Sequence, residues 1–338
     1  MNSIHVPLLR QALSALDIFS PAAFSFAGQV FNNQTYPGTI SQGPTRPQNP
    51  MISQLAQIFY SFVYAQRFNG VVRLAPVVQE PADDLTESLS QANVSRERWD
   101  PSWQVTQAFP SGQVFAQKNE AERSLWPGEF ITHDGPGVPP RVGGKITIFS
   151  PRESRTAQPG FYFAFGEIQG EHFDLSETVR YYWNVNDKGA ADLVHAITRH
   201  LNRFLTPFRF KVCSHRSLFS RLDSAVLYVN KRHHRIASEV LVDVYHTLRP
   251  YMEADTPIFA RPLAPGLAFA EDPGTGESFG MFCCRLVAEG IWTNHLQNPR
   301  DVEACLGVIK AQFEDSGIDF DRPYLRPGSS DIYEFPIY

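Results

Sequence analysis

A Gly- and Pro-rich stretch, HDGPGVPPRVGG at residues 133 to 144, constrains the folding of this chain more than any other feature. Proline removes a backbone donor and glycine adds backbone freedom, so neither a helix nor a paired strand continues through such a segment. We therefore place a boundary here and expect two parts, residues 1–135 and residues 136–338. The first is expected to be mostly helical, with a possible role in binding a peptide or partner, and the second to be an α+β domain.

The N-terminal part contains helical spacing of apolar residues. Residues 4–17 and 51–68 show it most clearly, and EPADDLTESLSQAN predicts a further helix opened by acidic residues. Residues 20–50 are rich in turn-forming types and predict a loop. Two apolar runs on either side of PSG, at 110–112, predict a hairpin.

After residue 143 the pattern changes to short strands. Strands are predicted at 144–150, 159–167, 178–185, 208–212 and 224–230. Helices are predicted at 187–204, capped by Asp187, in IASEVLVDVYHTLRPYM, and near the C-terminus up to Gly317. The apolar segment ESFGMFCCRLVAEGIW is compatible with either strand or helix. Because strands and helices alternate irregularly, we expect an α+β fold with a mixed or antiparallel central sheet flanked by helices.

Composition excludes several functional classes. The net charge of -5 argues against a nucleic-acid partner. No apolar run approaches the roughly 18 residues of a membrane span, and the N-terminus lacks a signal-peptide pattern, so we expect a cytoplasmic protein without a membrane partner. Neither the four cysteines nor the histidines have metal-ligand spacing, and no cofactor motif is present, so no metal or cofactor is expected.

Several predicted strands carry a polar or cationic side chain among aromatic residues. Arg180, Tyr182 and Asn184 alternate and share one face. The others are Lys145 at the start of its strand, with Arg155 after its end, then Tyr162, Lys211, Arg221, Asp223 and Tyr228. Together they predict one sheet face that binds a phosphate monoester, since arginine forks, a lysine charge and tyrosine hydroxyls all bind phosphate.

Each of these residues alone has an ordinary structural explanation. Lysines and arginines at strand ends are commonly solvated, and tyrosines commonly belong to the core. Asp223 and Arg221 are two residues apart and can simply pair. The joint pattern, in which Arg180 and Asn184 lie on the same face of one strand, favours a functional site over these structural explanations.

The chain resembles the Hop A type III effector family over about residues 95–338. The resemblance rests on GGKITIFSPRES, QPGFYFAFGE, VRYYWNV, PFRFKV, RLDSAVLYV, PIFARPLAPGLAFAEDP and the C-terminal IYEFPIY. Members of this bacterial family in lanthipeptide and thioamitide pathways act as phosphoserine/phosphothreonine lyases beside a separate kinase. The resemblance therefore implies a metal-free lyase whose partners are a phosphorylated precursor peptide and a Ser/Thr kinase-like protein.

A more distant similarity links GGKIT to the G-x-K-x-H strand of phosphothreonine lyases from animal pathogens. It implies that Lys145 is the base, while Thr147 occupies the position of the histidine acid. The implied phosphate ligands are Arg155, Arg180, Asn184, Lys211, Arg221 and Tyr228, and the implied catalytic group also includes Tyr162, Tyr182 and Asp223. An acid, if one is needed, would come from Tyr162, Tyr182, Tyr228 or His215.

The implied reaction is β-elimination, in which neutral Lys145 removes a Cα proton and phosphate leaves, giving dehydroalanine or dehydrobutyrine. The alternatives are a non-catalytic, effector-type module that binds a phosphopeptide or a protein, and a phosphatase or other hydrolase. The sequence does not distinguish them.

Overall fold

The protein, seen in a computed structural model, contains three antiparallel sheets and a set of helices. The structure describes residues 4–32, 49–72, 82–118, 121–135, 137–168, 177–298 and 300–336. Every strand pair in these ranges is antiparallel, so the predicted α+β class is confirmed and the central sheet is antiparallel rather than mixed.

A seven-stranded sheet lies at the centre, with strand order β14-β15-β11-β13-β12-β10-β9. Its strands are β9 (Glu153–Gln158), β10 (Phe161–Phe165), β11 (Thr178–Trp183), β12 (Phe208–Cys213), β13 (Ala225–Asn230), β14 (Arg261–Ala264) and β15 (Leu267–Glu271). The predicted strands at 159–167, 178–185, 208–212 and 224–230 are confirmed. Strands β9, β14 and β15 were not predicted.

Helices cover both faces of this sheet. One face packs against α3 (Thr86–Ala92), α4 (Ala190–Arg203) and α5 (His234–Leu248), and we call it the helix face. The opposite face packs against α2 (Pro50–Phe59), α6 (Phe279–Gln297) and α7 (Val302–Asp315), with α1 (Val6–Ser14) beyond them. The segment ESFGMFCCRLVAEGIW, which the sequence left as either strand or helix, belongs to α6 and is helical from Phe279 onward. It is buried between α2 and α7.

A five-stranded sheet, order β6-β5-β4-β8-β7, has its own small core. Its strands are β4 (Arg98–Ala108), β5 (Val114–Lys118), β6 (Ala121–Leu125), β7 (Phe130–Thr132) and β8 (Lys145–Ser150). The predicted hairpin around PSG is confirmed as β4–β5, and the Gly- and Pro-rich stretch connects β7 to β8.

The expectation of a mostly helical N-terminal part is met only in part. Helices α1, α2 and α3 are present, but strands β4 to β7 also precede residue 136. The prediction of a loop at 20–50 is wrong for its first residues. A three-stranded sheet that buries Phe24 and Phe26 is formed there by β1 (Leu16–Ser20), β2 (Ala23–Phe26) and β3 (Gln29–Asn32). Residues 33–48 of the predicted loop lie outside the described residues.

Two helix ends differ from simple expectation. Asp187 does not cap α4, whose N-cap is Gly189; its carboxylate pairs with Arg216 at 3.0 Å instead. Helix α2 continues as a π-helical turn, Tyr60–Tyr64. Such turns shift side chains around the helix axis and often occur at functional sites.

Candidate functional site

The face of the seven-stranded sheet opposite the helix face carries two rows of side chains that the ladder brings together. In the first row Arg180 pairs with Tyr228, which also pairs with Arg209. In the second row Tyr182 pairs with Val226, which also pairs with Lys211. Residues directly opposite in an antiparallel pair point to the same side, so these side chains lie next to each other on one face of the sheet.

The cations of these rows lie over aromatic rings. The Arg180 and Arg209 guanidinium carbons are 5.3 Å and 4.5 Å from the centroid of the Tyr228 ring. The Lys211 Nζ is 4.3 Å from the centroid of Phe161, and the Arg221 guanidinium carbon is 5.8 Å from it. Rings hold cations through their quadrupole without neutralising their charge. We call Arg180, Arg209, Lys211, Arg221 and Tyr228 the cationic face.

Two of these cations have a carboxylate partner and two do not. Arg221 forms a forked pair with Asp223, with both nitrogen–oxygen distances at 2.9 Å, and Arg180 pairs with Asp272. Among the described residues, Arg209 and Lys211 have no carboxylate partner; Lys211 Nζ donates a hydrogen bond to the Gln158 side-chain oxygen, at 3.4 Å, and lies over the Phe161 ring. The cationic face therefore carries uncompensated positive charge on one strand.

The electrostatic environment of Arg221 keeps it charged. Burial alone would lower its pKa, but the Asp223 carboxylate outweighs burial and raises the pKa. The pairing of Asp223 with Arg221, one of the two possibilities in the sequence, is thus observed. Asp223 is buried and holds the guanidinium in a fixed orientation.

The π-helical turn places two tyrosines against this face of the sheet. The Tyr60 hydroxyl accepts a hydrogen bond from Arg221 Nη2 at 3.1 Å, and its ring stacks on Tyr64 at 5.4 Å. The Tyr64 ring meets Tyr182 edge to face at 6.4 Å. Burial raises the pKa of Tyr60 to about 12 and raises those of Tyr64 and Tyr182 further, so all three hydroxyls stay protonated at neutral pH.

Arg180 Nε is buried at this site without a hydrogen-bond partner among the described residues. The Tyr64 and Tyr182 hydroxyls are almost fully buried and interact with each other, although not in the geometry of a full hydrogen bond.

Lys145 does not join the cationic face. It opens β8 in the five-stranded sheet, where it is exposed and opposes Gln104. The prediction that Lys145 converges with Arg180 and Lys211 on one sheet face is therefore wrong, because its strand pairs with β4 and β7 instead. On the same sheet, Thr147 Oγ1 lies 2.7 Å from His133 Nε2.

Tyr162 and Arg155 are also absent from the cationic face, because strand alternation turns both toward the helix face. The Tyr162 hydroxyl donates to Glu153 at 2.8 Å and accepts from the Asn93 amide at 2.9 Å. Arg155 Nε donates to the same Glu153 carboxylate at 2.8 Å. These hydrogen bonds join α3 to the sheet edge. The structure thus brings together Arg180, Tyr182, Lys211, Arg221, Asp223 and Tyr228 and leaves these two apart.

Asn184 follows β11 and has a structural contact of its own. Its buried amide nitrogen donates to the Asp255 carbonyl at 2.9 Å. A phosphate-binding role for Asn184 stays a prediction.

Sequence reasoning missed Arg209, Tyr60, Tyr64 and Asp272. Arg209 alternates with Lys211 in FRFKV, so the period of a strand was a sufficient signal. Tyr60 and Tyr64 lie inside an apolar helical pattern, and Asp272 lies in a turn, so nothing local marks them.

Other possible sites lie elsewhere. A cavity of about 580 Å³ borders β7 and the Gly- and Pro-rich stretch, and one of about 350 Å³ lies between α1, α6 and α7. Within the described part of the chain, no cluster of His, Cys, Asp and Glu suits a metal ion, and no helix combines the length and apolar character of a membrane span.

Comparisons with known proteins found one protein family and two similar solved structures. The HopA1 effector protein family matches residues 152–325, a region that contains the cationic face but not Tyr60, Tyr64 or Lys145. Two solved structures, both effector proteins of Pseudomonas syringae, are similar. The one from pathovar tomato strain DC3000 is 18% identical, with a TM-score of 0.48, over 82% of this chain and 91% of that chain. The one from pathovar syringae strain 61 is 15% identical, with a TM-score of 0.45, over 82% and 96%. No curated protein matches the chain.

Proposed function

Because the chain belongs to the HopA1 effector protein family, we propose that it is a phosphoserine/phosphothreonine lyase. It removes phosphate by metal-free β-elimination from a precursor peptide that a separate kinase-like protein has phosphorylated. The product is a dehydroalanine or dehydrobutyrine residue, as in lanthipeptide-like biosynthesis. The resemblance of its motifs to biosynthetic members of the family supports this choice of reaction.

The observation that carries the proposal is the charge balance of the cationic face. Asp272 and Asp223 neutralise Arg180 and Arg221, whereas Arg209 and Lys211 have no carboxylate partner among the described residues. A phosphate monoester carries about -1.5 to -2 charges near pH 7 and three acceptor oxygens. The site therefore offers one phosphate the uncompensated charge of Arg209 and the forked donors of three arginines, with the Lys211 amine beside them.

Lys211 supplies the base in this proposal, since it is the amine of the cationic face. The lone pair of Lys211 Nζ takes the Cα proton, the Cα–Cβ double bond forms, and the Cβ–O bond breaks with its electron pair leaving on phosphate. Arg180, Arg209 and Arg221 stabilise the departing charge. Asp223 and Tyr60 position Arg221 for this purpose.

A phosphothreonine peptide incubated with the protein tests the reaction. A lyase product has lost the mass of phosphoric acid, whereas a hydrolase product has lost phosphate but retained water. Lys211→Ala is expected to slow elimination at least about 10²-fold, the usual contribution of a catalytic base. Lys145→Ala is the matched variant and is expected to retain the rate. If Lys145→Ala loses activity and Lys211→Ala does not, our assignment of the base is wrong.

The second candidate is a phosphopeptide-binding module without catalysis. The rings of Tyr228 and Phe161 hold Arg209 and Lys211 in place without a carboxylate, which favours binding of a phosphate whether or not a base is present. In this case the peptide binds, Arg209→Ala weakens binding about tenfold or more, and the mass of the peptide does not change.

A further inference from the structure

We propose that Tyr228 is the general acid of the elimination and delivers a proton to the phosphate oxygen as the Cβ–O bond breaks. The inference deepens the proposed lyase function and rests on it. It assigns the acid to a residue of β13, the strand that lies between those of Arg180 and Arg209 in the central sheet.

The charge of the substrate calls for a proton donor. A phosphate ester carries about -1.5 to -2 charges near pH 7. Its dianion would leave as the trianion, a strong base that departs slowly unless a proton or matching positive charge reaches it. Two of the three arginines on the cationic face are already neutralised by carboxylates, and only Arg209 keeps its charge uncompensated among the described residues. One such cation does not balance the departing anion, so the leaving oxygen needs a proton.

The structure removes three of the four donors that the sequence offered. Tyr162 lies on the helix face, where its hydroxyl already donates to a carboxylate at 2.8 Å. Tyr182 is enclosed in the core between the sheet and the helices that cover it. His215 forms a bridge with Asp84, just before α3, which packs on the helix face. The fourth donor is Tyr228.

Tyr228 lies where this face of the sheet reaches the surface. Its side chain is half-buried, beside the exposed Arg209 and the half-buried Lys211. Its hydroxyl has no hydrogen-bond partner among the described residues. A phosphate that binds Arg209 from solvent therefore meets this hydroxyl without having to enter the closed core.

Two guanidinium groups flank the Tyr228 ring, one from each neighbouring strand. Their carbons lie 5.3 Å (Arg180) and 4.5 Å (Arg209) from the centroid of the ring. Burial would lower the pKa of Arg180, but attraction to two tyrosines, one of them Tyr228, and to Asp272 raises it, so this cation stays charged. Fixed positive charge from both neighbouring strands stabilises the phenolate oxygen that is left when the proton has moved to phosphate.

The base and the acid have a spacing that suits the reaction. On the paired strands Lys211 opposes Val226, and Tyr228 is two residues further along. The Lys211 and Tyr228 side chains are therefore diagonal neighbours on one face, about 7–8 Å apart at their Cα atoms. This spacing lets them act at opposite ends of one Cα–Cβ bond, the amine on the Cα hydrogen and the hydroxyl on the Cβ oxygen.

The proton transfers balance in the proposed step. Lys211 Nζ takes the Cα proton, and the electron pair of the C–H bond forms the Cα–Cβ double bond. The Cβ–O bond breaks with its electron pair on oxygen, and that oxygen takes the proton of the Tyr228 hydroxyl. The step leaves an ammonium ion at Lys211 and a phenolate at Tyr228. Because both side chains are only half-buried, solvent returns each to its starting state.

Two substrates with different leaving atoms test the donation of the proton. One is a phosphothreonine peptide, and the other carries sulfur in place of the bridging oxygen, because a sulfur anion is the weaker base and has less need of a proton. Tyr228→Phe is expected to lower kcat about 10²-fold with the oxygen peptide and less than about tenfold with the sulfur peptide. Arg209→Ala, which weakens the hold on phosphate, should slow both peptides to a similar extent. Tyr181→Phe, on the helix face, is the matched control and should retain both rates.

Binding measurements separate proton donation from phosphate binding. In the Lys211→Ala background, Tyr228→Phe is expected to keep the affinity for the phosphothreonine peptide within about threefold, whereas Arg209→Ala weakens it about tenfold or more. An equal loss of affinity in the two variants would make Tyr228 a phosphate ligand and overturn its role as the acid.

The kinetic outcomes also distinguish this inference from the lyase function. If the wild-type protein eliminates phosphate and Tyr228→Phe slows both peptides equally, or neither, Tyr228 is not the acid and the lyase function stands. If the wild-type protein eliminates from neither peptide, the lyase function itself is contradicted, and the assignment of the acid with it.

Discussion

Tyr181 and Tyr182 are neighbours on β11, yet the two faces of the sheet treat their hydroxyls differently. On the helix face, Tyr181 Oη lies 3.1 Å from Ser238 Oγ, within a core of apolar side chains. On the opposite face, Tyr182 Oη is buried beside Arg180 and interacts only with the hydroxyl of Tyr64 from the π-helical turn, short of a full hydrogen bond. Both rings are almost fully buried, so burial does not distinguish them. The partner of the hydroxyl does: Tyr181 bonds to a helix that follows it in the chain, whereas Tyr182 meets a tyrosine from the N-terminal helix α2 and its π-helical continuation.

The same contrast applies to charged groups. On the helix face, buried Glu271 accepts from Lys231 Nζ at 2.8 Å, Ser329 Oγ at 2.6 Å and the Arg326 backbone at 2.7 Å, and Tyr333 also donates to it. This network joins the C-terminal segment to β15. On the cationic face, Arg209 and Lys211 lack such compensation among the described residues. Charge is thus balanced where the sheet serves stability and unbalanced where we propose that phosphate binds.

The largest effect on stability is expected from Asp223→Ala. The substitution leaves the mostly buried Arg221 guanidinium without its carboxylate, and such loss typically costs about 3–5 kcal/mol. Urea unfolding followed by circular dichroism measures the change. Arg221→Ala serves as the comparison, and the double variant should be less unstable than the sum of the two. Strict additivity would show that the pair does not interact.

A smaller effect is expected from pH, through His5, which packs into the core on the side of the sheet opposite the helix face. Burial against Phe259 and Phe320 lowers the pKa of His5 from 6.5 to about 4. The unfolded chain then binds a proton more readily than the folded one, so stability is complete above pH 6.5 and is lost as pH falls toward 4. The shift corresponds to about 3 kcal/mol.

The free energy of unfolding of the wild-type protein should therefore decline as the pH is lowered from 6.5 toward 4, and that of His5→Leu should decline much less. On the helix face, hydrogen bonds and the Lys231 charge outweigh burial and lower the pKa of Glu271. Its contribution is present above the ordinary carboxyl pKa and is lost at still lower pH, which separates the two groups. A His5→Leu profile parallel to that of the wild type would contradict the assignment.

The smallest effect on stability is expected from the two tyrosines themselves. Tyr181→Phe removes a buried hydrogen bond to Ser238 and should cost about 1 kcal/mol. Tyr182→Phe removes a hydroxyl whose interaction with the Tyr64 hydroxyl falls short of a full hydrogen bond, so the change should stay within about 0.5 kcal/mol. Thermal unfolding of both variants checks the order. If Tyr182→Phe is the more destabilising of the two, its hydroxyl has a structural role and the contrast between the faces fails.

Local patterns were sufficient for much of the fold. The strands that carry Arg180, Lys211 and Tyr228 follow from β-branched and aromatic runs between turn residues, and the alternation of Arg180 with Tyr182 placed both on one face. Strand β9 was missed because its residues are polar: it is an edge strand with little apolar surface to bury. The α6 segment was ambiguous because it is apolar on every side, and only the packing of α2 and α7 around it makes it helical.

The candidate site was harder to predict, because it depends on strand pairing. Lys145 and Lys211 look alike in the sequence, each on a short strand among aromatic residues. Pairing with β4 and β7 placed Lys145 in a separate sheet, whereas pairing with β13 placed Lys211 two strands from Tyr182. Tyr162 and Arg155 were excluded for the related reason that their side chains turn toward Glu153 on the other face.

The sequence by itself determined the α+β class, most strands of the central sheet and the identity of most groups on the cationic face, because period and residue type are local properties. Only the tertiary structure decided which cations converge, which carboxylates neutralise them, and that Tyr60 and Tyr64 reach the site from a distant helix. The physical reason is that hydrogen bonds between strands and packing between helices join residues far apart in the chain, and charge balance and unpaired donors exist only once those contacts have formed.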